Sequence, residues 1–215
     1  MKLAINGLPT HVFEAGDARA PLVVAMHGIG SNEDDLPSAY QPMADRFALA
    51  FPRGPLPHPP GYAWYPLIRF GVPEEGSFAQ ALETLDAWLD ELRGLPGMAE
   101  RPLILSGFSQ GAIMSLSYAI RHPQKVAGVM AFSGYIPQLA LDAVPEGTAI
   151  AGGVRVFLTL GSRDSLFPFE WLGETKRQLQ ALGIRPEVVA HDGGHEIPRP
   201  VMEAATAWLG RSFPT

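Results

Sequence analysis

Six short apolar runs, Pro21–Met26, Phe47–Phe51, Pro102–Leu105, Val126–Phe132, Val154–Leu160 and Pro186–Ala190, lack the polar alternation of a strand with one wet face. Runs of this kind belong to strands covered on both sides, the situation of a parallel sheet. Parallel neighbours need a crossover between them, and the intervals supply it. Ser77–Leu92 sets Phe78, Leu82, Leu85, Trp88, Leu89 and Leu92 on one helical stripe, with Glu83, Asp86 and Asp90 on the other. Gly111–Arg121 is apolar nearly all round and stops at His122-Pro123, where proline disfavours helical geometry in the residue before it. Helices over 169–182 and 198–210 complete the alternation, one followed by glycine and the other opened by proline. Two further strands, Lys2–Asn6 and Thr10–Glu14, flank the turn signal Gly7-Leu8-Pro9 and read as a hairpin. The pattern predicts an α/β fold, a mostly parallel eight-stranded sheet with helices on both faces. The proline-rich stretch 52–76 and the segment 137–153 read as loops. No interval between the late strands is long enough to hold a separate lid domain.

The 215 residues are 47% hydrophobic and 18% charged, which suits one domain over residues 1–215 and excludes a disordered chain. A formal charge of −6 speaks against nucleic acid as a partner, since a binding groove needs a positive field, and offers no attraction to an anionic membrane. With no cysteine, disulfides, cysteine-ligated zinc, iron–sulfur clusters and a cysteine nucleophile all drop out. Met1–Asn6 is too short for the apolar core of a secretion signal, and no apolar run approaches the roughly 20 residues that span a bilayer. The expectation is a cytoplasmic protein without integral membrane association.

Sites in such sheets form beyond the carboxyl ends of the strands. After Pro102–Leu105 the chain reads Gly107-Phe108-Ser109-Gln110-Gly111, a G-x-S-x-G match between a buried run and a helix, where a nucleophile elbow sits. A sharp strand-to-helix turn strains the backbone at the serine and leaves no room for a Cβ on either side, which accounts for both glycines. Ser109 is thereby lifted to a helix N-terminus, whose oriented N–H groups favour a developing oxyanion. An acid and a base are expected in later strand-end loops, in that order. Asp164 follows Val154–Leu160 in Gly161-Ser162-Arg163-Asp164, and His195 follows Pro186–Ala190 in His191-Asp192-Gly193-Gly194-His195. They stand 55 and 86 residues past Ser109, room for two strand–helix steps. His195 is the expected base, and Asp164 the group that fixes its tautomer.

Other residues compete for these roles. His191 sits nearer the strand end and suits a structural role bonding the loop backbone, whereas Gly193-Gly194 lets the chain bring His195 back over the serine. A metal held by His191 and His195 needs both on one helical face, which the glycine pair opposes. Asp192 and Asp142 are alternatives to Asp164, and His58 and His122 read as surface residues. The second oxyanion donor is expected from His27-Gly28-Ile29-Gly30-Ser31-Asn32, after the third strand. There the Ile29 amide joins that of Gln110, each worth about 3 kcal/mol of transition-state stabilisation. No third glycine completes G-x-G-x-x-G and no P-loop lysine is present, so nucleotide readings fail.

HGIGSN at 27–32, GFSQG at 107–111, GSRDSLFP at 161–168 and GGH at 193–195 together resemble the phospholipase/carboxylesterase family of α/β-hydrolases. That family includes small bacterial carboxylesterases and the acyl-protein thioesterases. The likeness runs over essentially the whole chain, and glutamine after the nucleophile is more specific than G-x-S-x-G alone. It implies an α/β-hydrolase fold, a catalytic triad of Ser109, Asp164 and His195, and an oxyanion hole of Ile29 and Gln110. It also implies that Trp64 and Tyr65, in Gly61-Tyr62-Ala63-Trp64-Tyr65, bind substrate along an acyl groove; the other reading of that segment is loop aromatics folded onto the core. A homodimer is compatible with it. Leu160-Gly161 and Gly30-Ser31 depart from the acyl-protein thioesterase pattern, which has His-Gly and Gly-Asp there, and lean toward a general esterase.

The expected function is a serine esterase that cleaves carboxylic esters of short to medium acyl chain through an acyl-enzyme on Ser109. Thioesters and lysophospholipids are further candidate substrates. The chemistry calls for no metal and no organic cofactor, and the expected partner is a small-molecule ester. The alternatives are a non-catalytic ligand-binding protein of the same fold, an acyl-protein thioesterase, and a peptidase or other amidase.

Overall fold

The computed structural model describes residues 1–69, 71–145, 150 and 153–214. The chain opens with a hairpin of β1 (Lys2–Ile5) and β2 (Leu8–Phe13), turned through Asn6 and Gly7, both at positive φ. There follow β3 (Leu22–Met26), a single 3-10 turn at Gln41–Met43, and β4 (Ala48–Pro52). The stretch 52–76, expected as plain loop, instead holds two small hairpins. One pairs β5 (Leu56–His58) with β6 (Gly61–Ala63), the other β7 (Leu67–Arg69) with β8 (Val72–Pro73). Next come α1 (Glu75–Arg93), β9 (Leu103–Phe108), α2 (Gln110–Arg121), β10 (Gly128–Phe132) and a short α3 (Gln138–Asp142). The chain ends with β11 (Arg155–Gly161), α4 (Glu170–Ala181), β12 (Glu187–His191) and α5 (Arg199–Ser212). Phe70 and residues 146–149, 151 and 152 of the two expected loops lie outside the described residues.

The eight strands expected from the sequence form one sheet in the order β1-β2-β4-β3-β9-β10-β11-β12. It is antiparallel across β1, β2 and β4 and parallel from β4 onward. Its two faces sort by residue parity. Leu22, Val24 and Met26 of β3 and Leu103 and Leu105 of β9 join the core beneath α1 and α2, while Val23, Ala25 and Ile104 join the core beneath α5. The expectation of burial on both faces holds for β3, β4, β9, β10 and most of β11, and fails for β12. That strand ends the sheet and pairs only with β11, so its residues are exposed or half-buried.

Local chemistry sets the helix limits. α1 begins at Glu75, two residues before the expected Ser77, because the Glu74 carboxylate accepts from the Gly76 and Ser77 amides (3.1 and 2.6 Å). Its buried stripe from Phe78 to Leu92 faces the sheet. α2 is buried at every position from Gln110 to Ile120, so its first turn is fixed against the strands on which it rests. That rigidity is what the end of β9 needs.

Candidate active site

Ser109 sits between β9 and α2 at φ 54° and ψ −116°, a conformation that costs an L-residue on the order of 1–3 kcal/mol. The surroundings hold it there. Its amide donates to Phe132 O (2.9 Å), and its carbonyl accepts from Ala112 and Ile113 as the helix begins. A Cβ on Gly107 would lie 2.3 Å from the Gly111 carbonyl carbon, and one on Gly111 would lie 2.0 Å from Met26 O. Both glycines of the G-x-S-x-G match are therefore required by close approach of backbone.

Asp164 and His195 are brought to the same rim of the sheet. Gly161, the last residue of β11, pairs with His191 of β12, and a Cβ on it would strike the carbonyls of Gly193 and Gly194 at 2.4 and 2.3 Å. The Arg163 amide donates to Gly193 O (3.0 Å), so the two loops are bonded as well as nested. Gly193 and Gly194 are not at positive φ, and a Cβ on Gly193 would meet Glu196 Oε1 and His191 Nδ1. His195 Nδ1 donates to Asp164 Oδ2 at 2.7 Å, and Asp164 Oδ1 accepts from the Leu166 and Phe167 amides (2.8 and 2.9 Å). A carboxylate can only accept, so Nδ1 carries a proton, and in the neutral ring the lone pair is on Nε2, the nitrogen left for the serine. The His195 ring packs against Phe108, the neighbour of Ser109 (4.7 Å between centroids), and edge-on to Phe167 (5.0 Å). The Ser109 hydroxyl makes no hydrogen bond among the described residues, His195 included. Such bonds are commonly long in a free enzyme and tighten with substrate.

The competing residues fall elsewhere. His191 Nδ1 accepts from the Gly193 amide (3.1 Å), the backbone role considered for it. Asp192 is exposed beside Arg163, and Asp142 accepts from Gln138 on α3. Among the described residues, no group of three or more histidine, aspartate or glutamate side chains is arranged to hold a metal ion.

Ile29 and Gln110 flank Ser109, and neither amide N–H is taken up by another hydrogen bond among the described residues. The loop carrying Ile29 is clamped from both sides. Gly30 N donates to Tyr62 O and Tyr62 N to Ser31 O, both 2.8 Å, and Gly61 must lack a Cβ because Ser31 O lies 2.4 Å from where it would be. His27 Nε2 accepts from Gly54 N (2.9 Å), so its proton is on Nδ1 and is donated to Gly28 O (2.7 Å). Burial holds the His27 imidazole below its ordinary pKa, outweighing the bond to Gly28, and keeps it neutral for this role.

Sequence reasoning missed two supports of this loop. Glu33 is fully buried and takes a two-pronged bond from Arg53 (2.6 Å each), with Lys2 at 3.0 Å. Burial alone would raise the Glu33 pKa, but the bonds from Arg53 and Lys2 overcome it and bring it to about 2. The second support is the Gln110 side chain, which accepts from Trp64 N (2.8 Å) and donates to Tyr65 O (2.7 Å). A charged pair in a chain only 18% charged was the one available signal for the first; nothing in the spacing ties Glu33 to Arg53.

A mostly apolar cleft lies beside Ser109 and Gln110, walled by Tyr65, Ile113, Tyr135 and Phe167, with Leu67 and Gly71 from the second hairpin. Its volume is about 60 Å³, room for roughly four to six water-sized groups. Tyr65 lines this cleft. Trp64 does not: it is 2% exposed, donates from Nε1 to His27 O (3.0 Å), and borders a separate hollow with Leu56 and Gln80. The indole is consumed in fixing the loop of Ile29, which is the folded-on reading of that aromatic segment.

The sequence pattern of the phospholipase/carboxylesterase family matches residues 9–212. The chain belongs to this family. Lysophospholipase-like protein 1 of Mus musculus is 27% identical over 143 residues, 62% of this chain and 59% of that protein, so the chain spans less than two thirds of that relative's length. A probable inactive carboxylesterase of Oryza sativa subsp. japonica is 26% identical over 91% of this chain and 87% of its own. A crystal structure of esterase PE8, 28% identical, superposes with a TM-score of 0.81 over 96% of this chain and 99% of that one. The phospholipase/carboxylesterase family is a family of α/β-hydrolases, and the sheet order and strand-end loops described above are those of that fold. No helix among the described residues is long and apolar enough to cross a membrane.

Proposed function

We propose that this protein is a serine esterase that hydrolyses carboxylic esters through an acyl-enzyme on Ser109. The observation that carries the reading is the 2.7 Å bond from His195 Nδ1 to a buried Asp164 carboxylate, at the rim where the strained Ser109 stands. His195 Nε2 takes the serine proton as Ser109 Oγ attacks the ester carbonyl, and Asp164 stabilises the imidazolium that forms. The amides of Ile29 and Gln110 receive the oxyanion. The intermediate collapses as His195 returns its proton to the leaving alcohol. Water then repeats the sequence on the acyl-enzyme and releases the acid.

A cleft of about 60 Å³ suits a short acyl chain better than a long one. That favours simple esters, with thioesters of similar acyl size as the next class to test, over lipid aggregates or palmitoylated protein. Because one relative of similar length is named a probable inactive carboxylesterase, membership alone does not decide turnover. Labelling with a fluorophosphonate decides it. A competent serine becomes phosphonylated, adding one phosphonyl group to the tryptic peptide that contains Ser109, while a binding protein with an idle serine stays unlabelled. A series of nitrophenyl esters and matching thioesters then ranks the substrates.

A further inference from the structure

The cleft beside Ser109 is walled mainly by carbon, so its few polar side chains decide what else it can recognise. Ser109 brings the reacting hydroxyl. Gln110 has both ends of its carboxamide occupied, by Trp64 N and Tyr65 O. Tyr135 Oη donates to Gly71 O at 2.9 Å. Tyr65 Oη differs: it is buried and has no hydrogen-bond partner among the described residues. The ring is not free to swing toward one. Gln110 grips the Tyr65 main chain, and the phenol stands edge-on to Phe78 of α1, 4.8 Å between centroids. Tyr65 is 0% exposed, so bulk water does not serve the hydroxyl, and a partner has to come from a group seated in the cleft. Burial, with a further push from the Tyr135 hydroxyl, holds the phenol well above its ordinary pKa of 10.0, so it keeps its proton and stays a donor. Phenylalanine would fill the same space without the cost of an unpaired buried hydroxyl.

We propose that the Tyr65 hydroxyl selects acyl groups that carry an uncharged oxygen acceptor, an ether or keto oxygen within the chain, over plain alkyl groups of the same size. This rests on the esterase reading and narrows its substrate class by the chemistry of the acyl group. The oxygen has to fall within the four to six atoms, roughly, that a cleft of about 60 Å³ admits. A carboxylate is the wrong acceptor. No lysine or arginine lines the cleft, so a charged group would lose its hydration there without gaining a cation.

The test uses pairs of esters that differ by one oxygen set in place of a carbon. Nitrophenyl 3-methoxypropanoate is paired with the pentanoate, and nitrophenyl 4-oxopentanoate with the 4-methylpentanoate. For each, kcat/KM is measured in wild type and in Tyr65→Phe, with folding followed by circular dichroism and melting temperature. The intrinsic reactivity of each ester cancels between the two proteins, which leaves the bond to the phenol. Its loss predicts that the oxygen-to-alkyl ratio of at least one pair falls about fivefold in Tyr65→Phe, at an unchanged or higher melting temperature. Ratios that fall in neither pair overturn the proposal. A variant that melts lower or fails to fold overturns it too, because the hydroxyl then has its partner within the fold. A wild type that neither turns over these esters nor reacts with a fluorophosphonate would instead overturn the esterase reading.

Discussion

Glu33→Gln probes whether the loop of Ile29 is held by charge. The Glu33 carboxyl sits at about 2 against an ordinary 4.5. At about 1.4 kcal/mol per pH unit, that difference is worth about 3 kcal/mol of folding stability near neutrality. Arg53 is 27% exposed and water screens it in part, while glutamine keeps one acceptor for the guanidinium; the expected loss is therefore about 2 kcal/mol. The sign follows from the folded carboxyl being the stronger acid. The unfolded chain takes up the proton first, so the stabilisation is complete above the unfolded pKa of 4.5 and drains away as pH falls toward about 2. Urea unfolding of both proteins at neutral pH and again at about pH 3 measures the gap and its narrowing. Because only Gly30, Ser31 and Asn32 lie between Glu33 and Ile29, kcat should also fall by about tenfold, with KM changed less. Equal unfolding midpoints at neutral pH, or a gap undiminished at about pH 3, would refute the reasoning.

Four further outcomes are expected. Ser109→Ala should leave less than about a thousandth of wild-type ester turnover at an unchanged or higher melting temperature, measured with nitrophenyl acetate and by calorimetry. Asp164→Asn should lower kcat by about 10³–10⁴-fold, because an amide can donate to Nδ1 and favour the wrong tautomer; a loss under tenfold would remove Asp164 from the mechanism. His195→Gln should leave less than about a thousandth of wild-type ester turnover, since a carboxamide cannot accept the serine proton, and a loss under tenfold would contradict that role. Gly111→Ala places a methyl 2.0 Å from Met26 O, so it should either fail to fold or lose several kcal/mol in urea unfolding, on the order of about 3 or more.

Most of the sheet was legible because burial on both faces writes itself as unbroken apolar runs, and the chain contains few other reasons for them. The strand that misled was β12, whose Val188 and Val189 look like core but face only one neighbouring strand. Stretch 52–76 was opaque for a different reason. Its hairpins are too short to show periodicity, and they are fixed by contacts with distant residues: Gly61 under Ser31, and Gly71 under Tyr135 and Trp171. The positions of Ser109, Asp164 and His195 could be read from strand ends, because the fold puts strand-end loops side by side. How their glycines act could not: conformational freedom was expected at Gly193-Gly194, and the structure instead uses the missing Cβ of Gly161 to seat the Gly193 and Gly194 carbonyls. Trp64 was misread because aromatic composition says nothing about which way an indole N–H points.

Gln110 has two ends, and they face different parts of the molecule. Its main-chain amide borders the serine, while its carboxamide grips the backbone of Trp64 and Tyr65. A displacement of that segment is thus transmitted to the reaction centre through Gln110 as well as through the loop of Ile29. On gentle heating or in dilute urea, turnover should vanish before the sheet melts, so that activity becomes an early gauge of local loosening rather than a count of folded molecules.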